Sequence, residues 1–466
     1  MHQLNRDDKE LQILVHQYEE MLRKDAVAFF EQSAFERILD YYENQHRWNL
    51  ALEVVDYALQ QHPYSSIFFI RKAQLLLEKN KVDEALECLK QAEMFDASEL
   101  EIFLLKSEAL SWSGRYEEAL AILEASKKQF PLEDHDEIYM AIANVYEDME
   151  LFEKSFKAVS KALKVKPSNK NALDRIWLLV ELSGKYAESV RIHQELLDED
   201  PYSYQAWYNL GHAHFCLNDY EKAVEAFEFA IVIDETFEFA YRDCGEALFK
   251  LGLYERAIRC YMDALEYIKP DADLYTNIGL CFEQLDQSVQ AKNYYLKAIK
   301  FDPQSDHSFF RLGECYAREE YWVSAIGAYN KAIKLNALNA DYVAALAEAY
   351  VQIGEEQKAA KMFRTATEMA PEESGKWVQF ASFLLMSNKP ELALEVIEEA
   401  FVYCDSPSLD YCQTATLLNM GYRKAAIQSL QNALAEDFDL HIILFSFDEG
   451  LRNDAEIMEI IEMYRS

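Results

Sequence analysis

The sequence lacks any stretch of the roughly 18 continuous apolar residues that a membrane-spanning helix requires. Its first segment, Met1 to Glu20, carries acidic residues early and has no apolar core of the kind found in secretory signals. We therefore expect neither a membrane anchor nor a secretory signal in this sequence. A cytoplasmic location is the prediction that follows.

Basic residues are in deficit, with 46 lysines and arginines against 82 aspartates and glutamates, so the formal net charge is −36. Binding to a nucleic-acid backbone or to an anionic membrane depends on a basic surface, and both are therefore disfavoured. The acidic balance predicts a solvated, self-repelling exterior. It also favours basic partners, since such a field steers cations towards the surface.

Motifs of catalysis and metal binding are missing as well. None of the eight cysteines forms a CxxC pair, and there is no phosphate-binding glycine loop, HExxH or GxSxG motif. His212 and His214, two residues apart on a predicted helix, point about 200 degrees apart and cannot share one ion. We expect reduced thiols, no metal, no cofactor and no enzymatic activity.

What the sequence does have is an internal repeat of about thirty-four residues, running from Gln32 to about Phe438. A bulky residue, a Leu-Gly-like pair and an Ala-aromatic-Ala set recur in phase. The clearest sets are Trp207, Leu210, Gly211, Ala223, Phe227 and Ala230; Tyr241, Cys244, Gly245, Ala257, Tyr261 and Ala264; Tyr275, Ile278, Gly279, Ala291, Tyr295 and Ala298; and Phe309, Leu312, Gly313, Tyr316, Ala325, Tyr329 and Ala332. Repeats close with Pro63, Pro131, Pro167, Pro201, Pro303 and Pro371.

This pattern resembles the tetratricopeptide repeat. The resemblance implies an all-α fold, a right-handed superhelical solenoid of about twelve helix-turn-helix units with helical caps. Extending the phase predicts units that start near 32, 66, 100, 136, 170, 204, 238, 272, 306, 340, 374 and 408. Residues 1–31 are predicted to form an N-terminal capping helix, 32–438 the repeats and 439–466 the C-terminal cap, because a stacked array leaves apolar ends to be covered.

Several positions sharpen this prediction. Gly211, Gly245, Gly279 and Gly313 fall inside first helices, where glycine costs about 1 kcal/mol against alanine, so close packing on the second helix is expected to compensate. Gly184 and Gly252 fall at a turn where a left-handed residue is favoured. The departures from the pattern are Lys72, Lys106 and Trp177, together with a last unit that is one residue short and whose helix pairing is the least certain.

The family binds extended peptides in a concave groove formed by first helices, and the matching positions here identify candidate side chains. Arg175 has Leu178 and Leu179 where a helical acid partner would stand, so it is predicted to be an unpaired donor. Arg37, Arg242 and Arg311 have Asp40, Glu246 and Glu314 within reach, and weak pairs along the helix are favoured for them. The candidate groove residues are Arg175, Tyr208, Asn209, His212, Arg242, Asn277 and Phe310.

Four of these candidates have a predicted role. The two asparagines resemble residues with which the family clamps a peptide backbone, while Tyr208 and Phe310 would be apolar anchors. The chaperone-binding subset of the family uses a lysine and asparagine pattern that no three consecutive units supply. We predict a non-catalytic scaffold or adaptor for a segment of another protein, with a basic partner favoured. The alternatives are a self-associating structural protein and an accessory subunit of an enzyme complex; the oligomeric state stays open.

Overall fold

The computed structural model describes residues 4–24 and 28–465, with the side chains of residues 4–8 left out. Residues 1–3, 25–27 and 466 lie outside the described residues, so the predicted cap segment 1–31 is described only in part. Within the described ranges the chain forms 27 α-helices and three short 3-10 helices, and no strand. The all-α helical-repeat prediction is confirmed. Contacts divide the chain into an N-terminal body, Met1–Ala247, and a C-terminal body, Leu248–Ser466.

The N-terminal body is a succession of helical hairpins. Its helices are α1 (Leu4–Arg23), α2 (Gln32–Asn44), α3 (Trp48–Gln61), α4 (Ser66–Glu78), α5 (Val82–Phe95), α6 (Leu100–Trp112), α7 (Tyr116–Gln129), α8 (His135–Asp148), α9 (Phe152–Val165), α10 (Lys170–Ser183), α11 (Tyr186–Glu199), α12 (Tyr204–Cys216) and α13 (Tyr220–Ile233); α14 (Glu238–Lys250) spans the boundary. Consecutive helices from α1 to α13 pack on one another. The first helices of successive hairpins also touch, α4 with α6, α6 with α8 and α10 with α12, so these helices form a common wall.

The C-terminal body repeats the arrangement. Its helices are α15 (Tyr254–Tyr267), α16 (Ala272–Gln284), α17 (Ser288–Phe301), α18 (Asp306–Arg318), α19 (Trp322–Leu335), α20 (Ala340–Gln352), α21 (Glu356–Met369), α22 (Ser374–Met386), α23 (Pro390–Ala400), α24 (Pro407–Asn419), α25 (Arg423–Glu436), α26 (Ile442–Phe447) and α27 (Ala455–Met463). The short last unit pairs in the usual way, since α24 packs on α25. The missing residue is lost before α24, because α23 is short and α24 already begins one residue early, so its turn residue Gly421 also comes one residue early.

The turn inside each hairpin uses a residue in the left-handed region. These residues are His46, Asn80, Gly114, Glu150, Gly184, Asn218, Gly252, Asp286, Glu320, Gly354, Asn388 and Gly421. The prediction for Gly184 and Gly252 is confirmed, with φ of +66° and +73°. The same turn is also made by glutamate at Glu150 and Glu320, although side chains with a Cβ are strained there. The hairpin geometry therefore dominates over local preference.

Glycine inside the first helix has the compensating contact that the sequence predicts. A Cβ on Gly211 would lie 2.7 Å from the ring of Phe227, and one on Gly279 would lie 2.6 Å from the ring of Tyr295. Such a distance is far inside van der Waals contact. The missing side chain is what lets the aromatic ring of the second helix lie against the backbone of the first.

One departure from the repeat pattern is accommodated by an ion pair. Lys106 replaces the usual leucine of α6 and is almost fully buried, with its ammonium group bonded to Glu93 of α5 and lying 5.6 Å from the centre of the Phe103 ring. The lysine stem fills the apolar position while its charge reaches a carboxylate.

Both ends of the chain carry helices packed on the outer repeats. Tyr18 of α1 is buried and lies edge-on to Phe35 of α2. At the other end, Leu444 and Ile457 join the cluster of Leu430 and Leu434 on α25. Across the described helices, none combines the length and the apolar character needed to cross a bilayer.

Candidate functional site

A polar groove of about 780 Å³ runs along the wall formed by α6, α8 and the start of α10 in the N-terminal body. Six carboxylates and three basic side chains line it. The acids are Glu101, Glu108, Asp136, Glu137, Glu147 and Asp148, and the bases are Lys166, Lys170 and Arg175. The groove is therefore acidic overall.

Two of the three bases are already neutralised by acids of the same groove. Arg175 donates to Glu147 at 2.6 Å, and Lys166 lies 3.4 Å from the buried carboxylate of Asp136. Glu108, Glu137 and Asp148 are exposed and make no ion pair with a basic side chain in the part of the chain that is described. The negative charge that remains faces the groove.

The groove acids repel one another. Although Glu108 is exposed to solvent, partial desolvation by the surrounding groove raises its pKa, and the charges of Glu78 and Asp148 raise it further. Desolvation also raises the pKa of Glu101, with Glu99 acting in the same direction. Because each carboxylate makes ionisation of its neighbour less favourable, a cation placed among them would be stabilised.

An aromatic side chain lies at the end of this acidic surface. Trp112, the last residue of α6, lines the groove and leaves 50% of its surface exposed. Met140 of α8 lines the groove as well and is half-buried. Exposed tryptophan in a cleft is the kind of group that anchors a bound chain.

The prediction that Arg175 is an unpaired donor is wrong. Its guanidinium donates to Asn144 at 2.7 Å and to Glu147 at 2.6 Å, both on α8 of the preceding repeat. Helical spacing considers only partners on the same helix, whereas here the acid comes from the adjacent first helix. Arg175 lines the groove as a paired residue.

Asn209 is buried, although a side chain that clamps a peptide must be open to the groove. Asn209 is 2% exposed, and its side-chain amide donates to the backbone carbonyl of Leu173 at 2.8 Å. Tyr208 is 7% exposed and donates to Asp243 at 2.8 Å. Burial of the phenol and the negative charge of Asp243 raise the pKa of Tyr208 above its usual range. Both side chains join neighbouring repeats, because close stacking of the first helices covers these positions.

His212 is likewise packed. Its side chain is 10% exposed, with Nε2 lying 3.2 Å from Glu181 of α10. Trp177 lies edge-on to the His212 ring at 5.7 Å between centroids, so the tryptophan that replaces the usual glycine of its repeat faces the next first helix.

The arginines expected to pair along their own helices, and their expected partners, make the following described contacts. Arg242 pairs with Glu238 of the same helix at 2.6 Å, and Arg311 donates to His307 at 3.0 Å. Asp40, the partner expected for Arg37, accepts from Arg71 of the next repeat at 2.7 Å.

Asn277 and Phe310 belong to the C-terminal body. Both are half-buried, and Phe310 stacks on Tyr342 with ring centroids 4.6 Å apart.

The candidates predicted from the sequence include neither Trp112 nor the acids around it. They occupy the same positions of the third and fourth repeats that identified the other candidates, so position alone could have found them. The signal that would have separated them is the run of acids at groove positions of two successive repeats.

Helical hairpins stacked with their first helices along one wall define an all-helical repeat protein. Five segments match models described as the tetratricopeptide repeat, namely 136–169, 204–237, 244–270, 272–305 and 340–373. The chain is a tetratricopeptide-repeat protein. No curated protein sequence matches it significantly.

Solved structures with similar folds include YrrB, a TPR protein with an unusual peptide-binding site, at 20% identity over 40% of this chain and 95% of that chain, with a TM-score of 0.34. The Cut9–Hcn1 hetero-tetramer of APC/C is similar at 16% identity over 83% of this chain and 84% of that chain, with a TM-score of 0.41. MamA is similar at 21% identity over 34% of this chain and 94% of that chain, with a TM-score of 0.33.

Proposed function

We propose that this protein is a non-catalytic interaction scaffold that holds an extended, basic segment of another protein in the groove of α6, α8 and α10. The single observation that carries the proposal is the acidic groove with an exposed tryptophan at its end. The proposal also includes the division into an N-terminal cap (1–31), repeats (32–438) and a C-terminal cap (439–466). The site thus moves towards the N-terminus from the groove first expected.

The charge of the groove supports a basic occupant. Glu108, Glu137 and Asp148 have no basic partner among the described side chains, and partial desolvation with like charges raises the pKa of Glu108. A lysine or arginine from a partner would neutralise this repulsion, while an acidic segment would add to it. The net charge of −36 would speed the approach of such a partner.

Trp112 supports an apolar contact beside the basic one. Its exposed indole and the half-buried Met140 line the same groove as the acids. Tryptophan contributes large contact area at little entropic cost, and such residues dominate binding energy at interfaces. We therefore propose a ligand that carries basic residues and one aromatic or large aliphatic side chain.

The first experiment uses extended peptides of equal length with net positive, neutral or negative charge, each with and without one aromatic residue. Fluorescence polarisation of labelled peptides against the full chain, at low and high salt, measures binding. Basic peptides with the aromatic residue should bind most tightly, and their affinity should fall with added salt. Equal binding of acidic peptides would refute the proposed chemistry.

Variants locate the site. Trp112→Ala should weaken binding by at least about 1 kcal/mol, a fivefold loss or more. The double variant Glu108→Gln, Glu137→Gln should weaken binding and reduce its salt dependence without loss of stability, because like charges are removed.

Exposed residues outside the groove provide matched controls. Glu225→Gln on α13 and Tyr202→Ala at an exposed loop position should leave affinity unchanged. Self-association would be favoured instead if Trp112→Ala bound the peptides as tightly as the original protein and if the molar mass measured by light scattering rose with protein concentration.

A further inference from the structure

Three side chains with metal-binding atoms converge where α10 and α12 pack. Glu181, His212 and Cys216 place a carboxylate oxygen, a ring nitrogen and a thiol sulfur within 4.8 Å of one another. His212 and Cys216 lie one helical turn apart on α12, and Glu181 is supplied by α10 of the preceding repeat. Residues four apart project from the same face of a helix, so both α12 side chains face α10.

The imidazole of His212 is held in place and left partly unsatisfied. Its side chain is nine-tenths buried, and its ring contacts Trp177 and Tyr208. Nε2 faces Glu181 at 3.2 Å, whereas the buried Nδ1 has no hydrogen-bond partner in the described part of the chain. A buried polar atom without a partner is costly, and a neutral imidazole always has one nitrogen able to ligate a metal.

The electrostatic surroundings favour a cation. The carboxylates of Glu181 and Asp243 both lie near the Cys216 thiol. Asp243 also accepts a hydrogen bond from Tyr208, whose ring centroid lies 6.3 Å from that of His212. A bound divalent ion would offset this concentration of negative charge and favour the thiolate.

We propose that Cys216, His212 and Glu181 form a binding site for a borderline-soft divalent ion of the Zn²⁺ class. A thiolate, an imidazole and a carboxylate are all ligands of zinc, and the sulfur and nitrogen donors disfavour Mg²⁺ and Ca²⁺. Bonds of about 2.0–2.3 Å require the three donor atoms to draw together by roughly 1 Å, which side-chain rotation can supply. Three protein ligands leave a fourth position of a tetrahedral ion open.

The test uses Co²⁺ as a spectroscopic probe and the full chain under reducing conditions. Titration in the presence of excess Mg²⁺ should give one tight site with a thiolate-to-cobalt charge-transfer band and the visible absorption of a four-coordinate ion. Zn²⁺ should abolish both signals by displacement. Carboxylates elsewhere on this acidic surface would bind Co²⁺ without the thiolate band and would release it to Mg²⁺.

Variants assign the ligands. Cys216→Ser should remove the charge-transfer band, and His212→Gln and Glu181→Gln should each weaken Zn²⁺ binding at least tenfold. Glu181 is nearly half exposed, so Glu181→Gln should keep the fold. This variant therefore tests the site even if a substitution at the buried His212 disturbs folding. Cys88→Ser, at a half-buried thiol of α5, is the matched control and should bind as the original chain does.

Loss of the band in Cys88→Ser, or equal Zn²⁺ affinity in the Glu181→Gln and original proteins, would overturn the proposal. No peptide enters these measurements, so their outcome is independent of the proposed groove function.

Discussion

Two glycines of the same repeat should respond in opposite ways to alanine. Gly313 lies inside α18, and a Cβ there would come within 2.5 Å of the Tyr329 ring of α19. Gly327 lies inside α19, and a Cβ there would meet nothing within 4 Å. Alanine is favoured over glycine inside a helix by about 1 kcal/mol, so Gly327→Ala should stabilise the protein by up to that amount.

The expected cost at Gly313 follows from the overlap with the tyrosine. Carbon atoms in contact sit about 3.5–4.0 Å apart, so the ring must move by roughly 1 Å. Tyr329 cannot move freely, because it is 2% exposed, its hydroxyl is bonded to Glu314 and its ring packs on Phe310. Overpacking of this kind costs about 1–3 kcal/mol. Since both substitutions gain the same helix preference, this cost is also the expected difference between the two variants.

Urea denaturation followed by far-ultraviolet circular dichroism measures the difference, and amide exchange in α18 and α19 localises it. The local measurement matters because repeat arrays need not unfold in one step. A third background, Tyr329→Leu, removes the ring, and in it Gly313→Ala should lose most of its cost. If Gly313→Ala stabilised the protein as much as Gly327→Ala, the close approach of helix and ring would be refuted.

Three further predictions concern the turns, the acids and the end of the chain. Glu320→Gly should raise the free energy of unfolding by about 0.5–1 kcal/mol, because Glu320 has a φ of +61°, whereas Gly354→Ala, at a φ of +77°, should lower it. Urea midpoints measure both changes, and a lower midpoint for Glu320→Gly would show that the glutamate is not strained at this turn. Burial and the charges of Asp405 and Glu436 raise the pKa of Asp410 from 3.8 to about 6, so the folded protein favours the protonated carboxyl. The resulting stabilisation should be complete below about pH 4 and lost as the pH rises through 6. The melting temperature of Asp410→Asn should therefore fall less between pH 4 and pH 6 than that of the original protein. Identical pH profiles of the two proteins would exclude this effect. Deletion of residues 1–24 should uncover Phe35 and Ile38 and lower solubility while the distant repeats stay helical, and complete loss of helicity by circular dichroism would rule this out.

The candidate site could be predicted from the sequence only in part. Of the seven candidates predicted from the repeat phase, Arg175 lines the groove. Phase cannot tell which polar groups at such positions meet. Arg175 meets Asn144 and Glu147, and Asn209 meets Leu173, because adjacent helices bring together residues about one repeat apart.

The sequence by itself determined the helical hairpins and their phase. Alanine, glycine and aromatic residues recur because each hairpin must pack its two helices in the same way, and that packing is local along the chain. The ring of Phe227 against Gly211 is one example that spacing alone predicts. Only the tertiary structure decided that Trp112 lies exposed among acids and that Glu181, His212 and Cys216 converge. These arrangements depend on how far one first helix is displaced along the next, and spacing within a single helix carries no information about that displacement.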